Sequence, residues 1–252
     1  MEHFLLLLGT GIVGGMINAI AGGGAIIMYP ALLASGLSPI VANATSSLVV
    51  WPGSVTSAYG YRRDLKKVSK GFLWLALPCL FGSIIGAAIL VNTNPATFEA
   101  LAPWLVLSAV VLLATQSRLH RWLSGQSKKR KIHWHTMPLI YAAVFPLAIY
   151  GGFFGVGFGL MMLAVLGFSG LKNIYQMNGV KNLCGIVMAV VATIYFSRAG
   201  LIDYGSGAIM ATGTAIGGIT GAKLTHKVSA HLVHDLTVII GFIIALVLIV
   251  KA

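Results

Sequence analysis

Lys181 stands six residues into an apolar run that continues to Phe196, just beyond Asn178. The chain has five acidic residues, Glu2, Asp64, Glu99, Asp203 and Asp235, and none lies inside an apolar run where it could neutralise that ammonium. A cation at membrane depth costs about 2.5–3.5 kcal/mol on insertion scales. Two readings fit the lysine. It lies only roughly 9 Å into its run at helical rise, so it can snorkel to the interface. Alternatively, it is the counter-ion of an anionic substrate.

The other polar residues in apolar surroundings fall into clusters. Asn178 and Asn182 flank Lys181, and Asn43, Thr45 and Ser46 form a similar group in the first half of the chain. Such side chains commonly make interhelical hydrogen bonds worth about 0.6 kcal/mol each. Their recurrence at matched places points instead to a substrate site. The glycine-rich stretches Asn18-Ala-Ile-Ala-Gly22-Gly23-Gly24 and Gly155-Val-Gly157-Phe-Gly159 form a second matched pair. Three consecutive glycines inside a helix cost about 1 kcal/mol each relative to Ala, so the helix is expected to break there. Broken helices near the midplane turn unsatisfied N–H groups toward a ligand and favour anions. Asn18, Gly22–Gly24, Asn43, Thr45 and Ser46 are therefore candidate neutral donors, with Gly157, Gly159 and Asn182. Lys181 with Asn178 forms the charged wall. The pairs Gly82/Gly86 and Gly217/Gly221 read as close helix packing.

The elements that must position these residues are membrane helices. Of 252 residues, 58% are hydrophobic and 9% charged, with mean hydropathy +0.91. A soluble domain carries about a quarter charged residues, so lipid is the solvent for most of this surface. A shift of 135 residues superposes one half on the other without gaps, pairing Gly22 with Gly157, Asn43 with Asn178, Gly82 with Gly217 and Gly86 with Gly221. Apolar runs lie at about 4–20, up to Leu33, 40–60, 72–91 and 100–117 in the first half. In the second they lie at about 137–150, 155–168, 175–197, 204–222 and 236–250. Spanning needs about 20 residues, and the first two runs of each half are short or interrupted. Eight or ten membrane segments are both compatible with this. The expected division is a first repeat at 1–117, a basic linker at 118–135 and a second repeat at 136–252.

Loop charge orients the halves. The loop Arg62-Arg63-Asp64-Leu65-Lys66-Lys67 is basic, while its counterpart holds only Arg198 and Asp203. In the next loop the bias reverses: 92–98 has no basic residue, but its counterpart carries Lys223, His226 and Lys227. Equivalent loops prefer opposite sides, as in an inverted-topology repeat. The linker, with Lys128-Lys129-Arg130-Lys131, would be cytoplasmic and both termini external. The opening Met-Glu-His lacks the basic start of a cleaved signal peptide, so the first run is expected to be retained.

Several functions are excluded by residue type. The net charge of +12 sits in short loops rather than on one face, which argues against nucleic acid. Cys79 and Cys184 lie in apolar runs and suggest neither disulfide framework nor metal site. His133/His135 and His231/His234 read as loop histidines, and no metal or other cofactor is expected. There is no HExxH, GxSxG or phosphate-binding loop, so the chain is not expected to be an enzyme. Trp51, Trp74, Trp104, Trp122 and Trp134 read mostly as packing or interface anchors.

Gly11-Ile-Val-Gly-Gly15, Ala21-Gly-Gly-Gly-Ala25, Pro30, Gly36-Leu-Ser-Pro39 and Ala42-Asn-Ala-Thr-Ser46 together resemble the first repeat of the sulfite exporter TauE/SafE family. The second repeat is similar in outline at Gly155–Gly159 and Gly170-Leu171. It departs where Asn173 stands for the usual proline and Val180-Lys181 replaces Thr-Ser. The resemblance covers essentially the whole chain. It implies a bacterial inner-membrane permease for sulfite, organosulfonates or related small anions, usually an exporter. A passive anion channel and a non-transporting membrane subunit are the alternatives. The partners expected are a small anion and the lipid bilayer; the glycine-rich faces permit a homodimer without requiring one.

Overall fold

A computed structural model describes residues 2–125, 137–169, 171, 173–225, 227, 235, 237–243 and 245–246. The basic cluster 128–131, both histidine pairs, Gly170 and Lys172 lie outside the described residues. Those described form helices and connecting turns, with no strand among them. The first half contains α1 (Glu2–Ile20), α2 (Ala25–Ala34), α3 (Pro39–Gly60), the single turn α4 (Arg62–Leu65), α5 (Ala76–Val91) and α6 (Pro95–Gly125). A 3-10 turn at Lys70–Leu75 leads straight into α5. The second half contains α7 (Met137–Phe153), α8 (Phe158–Phe168), α9 (Ile174–Arg198) and α10 (Tyr204–Leu224). Residues 237–243 and 245–246 are also helical.

Large apolar side chains face outward throughout, among them Leu5, Trp74, Phe81, Trp104, Leu139 and Ile243. No water-soluble surface carries such a band, and the protein is an all-α membrane protein. The stretches His3–Ile20, Lys70–Val91 and Ile174–Arg198 are long and apolar enough to cross a bilayer. α3 and α10, with 22 and 21 residues, match them in length but are rich in Gly, Ser and Thr. Thr45, Ser46, Ser54, Ser57 and Thr214 are buried against other helices, while the exposed Thr212 hydroxyl bonds back to the Ala208 carbonyl of its own helix.

Three details depart from the sequence reading. The first eight residues of the expected linker, 118–125, continue α6, because nothing between Pro103 and Gly125 breaks a helix. The halves do not match without gaps either. α7 and α8 begin and end their break at Phe153 and Phe158, two residues short of a 135-residue offset from Ile20 and Ala25. α3 and α9, starting at Pro39 and Ile174, return to it. Finally, Asn173 does not stand in for Pro39. It caps α9 by accepting a 2.9 Å hydrogen bond from the Tyr175 amide, and so occupies the place of Ser38.

The helices pair crosswise. α1 lies along α10, α5 along α7, α3 against α10 and α9 against α5, while α3 and α9 meet at the centre. Glycines set these distances. A Cβ on Gly217 would sit against the Ile12 carbonyl and 3.0 Å from the Met16 amide; one on Gly82 would meet Ala148 Cβ at 2.6 Å. Gly9, by contrast, has nothing within 4 Å of an added Cβ. Gly217→Ala is therefore expected to lower the thermal unfolding midpoint in detergent, at a cost of about 1–3 kcal/mol of overpacking. Gly9→Ala is expected to leave it unchanged or raise it, by up to about 1 kcal/mol of helix propensity. Scanning fluorimetry of both variants reads the opposite signs.

Candidate functional site

The two helix breaks and the central pair α3/α9 converge on one small, partly open cavity. Asn18 and Gly22 reach it from the end of α1, and Ala25 from the start of α2. Gly155, Phe158 and Gly159 come from the second break, Val50 and Ser54 from α3, and Lys181, Asn182, Gly185 and Met188 from α9. No acidic residue lines it among the described residues.

Lys181 does not snorkel: it is 2% exposed and points into the protein. Nor is it without partners, as the sequence alone suggested. Its Nζ donates to the Asn18 carbonyl and, at 2.9 Å, to Asn178 Oδ1. Asn178 in turn donates from Nδ2 to the Ile20 carbonyl at 3.1 Å. These carbonyls end α1, where the helix dipole is negative and the last C=O groups lack intrahelical donors. The ammonium is thus stabilised by a helix terminus rather than by a carboxylate. Among the described residues, no full negative charge beside the cavity compensates it.

Asn182, next in sequence, is 1% exposed, and neither Nδ2 nor Oδ1 has a hydrogen-bond partner. A buried amide left open costs about 1–3 kcal/mol, and this one lines the cavity. Ser54 faces the same cavity and makes no side-chain hydrogen bond among the described residues. The backbone adds two more donors. The Ala25 and Gly159 amides, in the first turns of α2 and α8, find no backbone acceptor among the described residues. Both are positive helix ends that favour an anion. The cavity therefore collects an ammonium, an open carboxamide, a hydroxyl and two free amides.

Close approach of the breaks makes this convergence geometrically feasible. Gly22 has φ +87°, and a Cβ there would lie 2.7 Å from the Gly159 carbonyl carbon. Gly157, the residue before α8, has φ +86°.

Of the residues singled out in the sequence, Asn18, Gly22, Gly159, Lys181 and Asn182 line the cavity. The others stand around it. Asn178 holds Lys181. Asn43 donates from Nδ2 to the Phe153 carbonyl at 2.8 Å, the end of α7. Ser46 Oγ donates to the Asn43 carbonyl, and Thr45 Oγ1 accepts from the Asp203 amide at 3.0 Å. Gly24 packs against Gly14 and Asn18 of α1, Gly23 against Thr237, and Gly157 against Ala109. Ser54, Gly185 and Met188 escape a search for polar clusters that recur in both halves. The signal is helical spacing: 43, 47, 50 and 54 recur every three or four residues, as do 178, 182 and 185, so each set shares one face. Cys79 and Cys184 are buried and free.

Comparison with known proteins agrees with membrane residence. The chain is 27% identical over 250 residues to a "Probable membrane transporter protein" of Haemophilus influenzae, covering 96% of this chain and 92% of that relative. It is 25% identical over 252 residues to "Probable membrane transporter protein YfcA" of Escherichia coli K12, covering 95% and 88%. It is also 25% identical over 240 residues to "Probable membrane transporter protein ORF9" of a Sinorhizobium species, covering 93% and 87%. No solved structure matches it. The model of one family, described as sulfite exporter TauE/SafE, matches residues 7–248, and the chain belongs to that family of membrane transporters.

Proposed function

We propose that the protein carries a small anion, such as sulfite, an organosulfonate or a related carboxylate, across a bacterial inner membrane, most simply as an exporter. The observation that carries this reading is the buried Lys181 ammonium, which has no carboxylate partner and stands beside the unpartnered Asn182 in a cavity faced by two open helix starts. An oxyanion would accept from Asn182 Nδ2, Ser54 Oγ and the Ala25 and Gly159 amides, with Lys181 supplying the charge. Alternating access would come from two halves of opposite orientation moving against each other around this cavity. Loop-charge reversal and the crosswise pairing of the helices support that reading.

Counterflow in proteoliposomes tests it. Labelled sulfite is supplied outside, and sulfite, taurine, sulfoacetate, lactate or sulfate is loaded inside. Saturable trans-acceleration by one of them is expected. Asn182→Leu, which removes an open donor without touching the Lys181 clamp, is expected to raise the half-saturating concentration about tenfold or more. Flux that neither saturates nor trans-accelerates would identify a channel, and no flux with any anion would leave a non-transporting subunit.

A further inference from the structure

The two helix breaks are built alike but are chemically unequal. At the end of α1 every terminal carbonyl has a donor. Asn18 O accepts from Lys181 Nζ, Ala19 O from the Tyr61 hydroxyl at 3.2 Å, and Ile20 O from Asn178 Nδ2. At the end of α7 only the last of the three is served: Asn43 Nδ2 donates to Phe153 O. The Gly151 and Gly152 carbonyls accept no hydrogen bond among the described residues, because the amides of 154–156 turn to Tyr150 and Phe154 instead. Asn43 Oδ1 is also buried without a partner.

The missing donors are traceable to two positions. At the 135-residue offset, Lys181 is matched by Ser46 and Tyr61 by Phe196, which have no ammonium and no hydroxyl. Ser46 is 5% and Phe196 0% exposed, so neither admits bulk water. Three acceptors thus remain open within one turn of a helix's negative end. A water molecule can donate only two hydrogen bonds, and buried carbonyls left unpaired are rare. In the second half an ammonium bridges the Asn18 carbonyl and the side-chain oxygen of Asn178; the matching pair here is the Gly151 carbonyl and Asn43 Oδ1.

We propose that the end of α7 binds a hard monovalent metal cation, sodium being the probe, in the place where the other half has its own ammonium. The ligands are the Gly151 and Gly152 carbonyls and Asn43 Oδ1. Neutral oxygens with no carboxylate suit a single charge rather than a divalent ion. Gly155 and Met188, which flank this turn, also line the anion cavity. A cation held there would favour the anion beside it. That last coupling rests on the transport reading; the cation site itself does not.

The experiment is equilibrium binding of radioactive sodium to the full-length protein in lipid nanodiscs, in choline medium without any substrate anion. Saturable binding near one ion per chain is expected. Ser46→Lys, which supplies the ammonium internally, is expected to abolish it. Phe196→Tyr, which supplies Tyr61's hydroxyl to Gly152, is expected to weaken it about tenfold and keeps the test sharp if the lysine variant fails to fold. Absence of saturable binding in the unmodified protein, or binding indifferent to both substitutions, overturns the site. Sodium binding without counterflow would sink only the transport reading, and counterflow in choline without sodium binding would sink only this one.

Discussion

Lys181→Met is expected to lower anion counterflow about 100-fold and to destabilise the protein as well. Methionine keeps much of the lysine stem, so the loss is that of the ammonium. A hydrogen bond to a charged group is worth about 1.5–3 kcal/mol, which corresponds to roughly ten- to 150-fold in binding. The same ammonium also serves the Asn18 carbonyl and Asn178 Oδ1. Removing it leaves Asn178 Oδ1 open, at about 1–3 kcal/mol, and leaves the Asn18 carbonyl with the Gly22 amide as its donor. Two readouts separate the roles. Anion-dependent thermal stabilisation reports the counter-ion, whereas the midpoint without anion reports the clamp on α1. A variant that is destabilised yet still binds and exchanges anions normally would reduce Lys181 to a clamp, and the transport reading would lose its charged wall.

That double duty is where a linear reading stops. The breaks at 21–24 and 154–157 are legible because consecutive or closely spaced glycines are costly in a helix and little else explains them. Membrane residence is legible because so few charges cannot solvate a 252-residue surface. The burial of Lys181 is not legible. Its position near the start of a run is compatible with snorkelling, and only the neighbouring helix end, 163 residues away in sequence, makes burial tolerable. The asparagines teach the same lesson. Asn43 and Asn178 recur at matched places and so attract a substrate role, yet each donates to the last carbonyl of the other half's broken helix, across 110 and 158 residues. Recurrence marks a shared architecture, and the cap and the ligand site leave the same trace in composition.

Ser54 is overlooked for the converse reason. Ser54 and its neighbours Thr56 and Ser57 stand opposite Ala189, Val191 and Ala192 at the 135-residue offset, so recurrence does not mark them. The place of Ser54 becomes visible only once α3 is wound and its face turned to α9. The inequality of the two helix ends is partly legible, since Ser46 opposite Lys181 can be read from the shifted alignment. Its consequence needs the carbonyls in place, because hydrogen bonds of backbone groups at a break depend on how the chain turns there. Gly155 donating to Tyr150 rather than to Gly151 is such a detail.

Substituting the breaks themselves is expected to separate the two halves most sharply. At Gly22→Ala the new methyl would lie 2.7, 2.9 and 3.1 Å from the carbonyl carbon, oxygen and Cα of Gly159, all backbone. The position also has φ +87°, which costs an alanine about 1–2 kcal/mol. Adding about 1–3 kcal/mol of overpacking gives a loss near 2–5 kcal/mol, and no single side-chain change can relieve it. Relaxation would push the start of α8 away, taking the Gly159 amide out of reach of an anion that also contacts Lys181. Counterflow is therefore expected to vanish even in protein that remains folded. Gly157→Ala has nearly the same φ, +86°, but its methyl meets the Ala109 methyl at 3.0 Å. Its loss is expected to be smaller and to be partly restored by Ala109→Gly in the double variant. Unfolding midpoints and counterflow of the three proteins, measured side by side, decide the matter. If Gly22→Ala were as mild as Gly157→Ala, the backbone contact between the breaks would not be what brings the two helix starts onto one cavity.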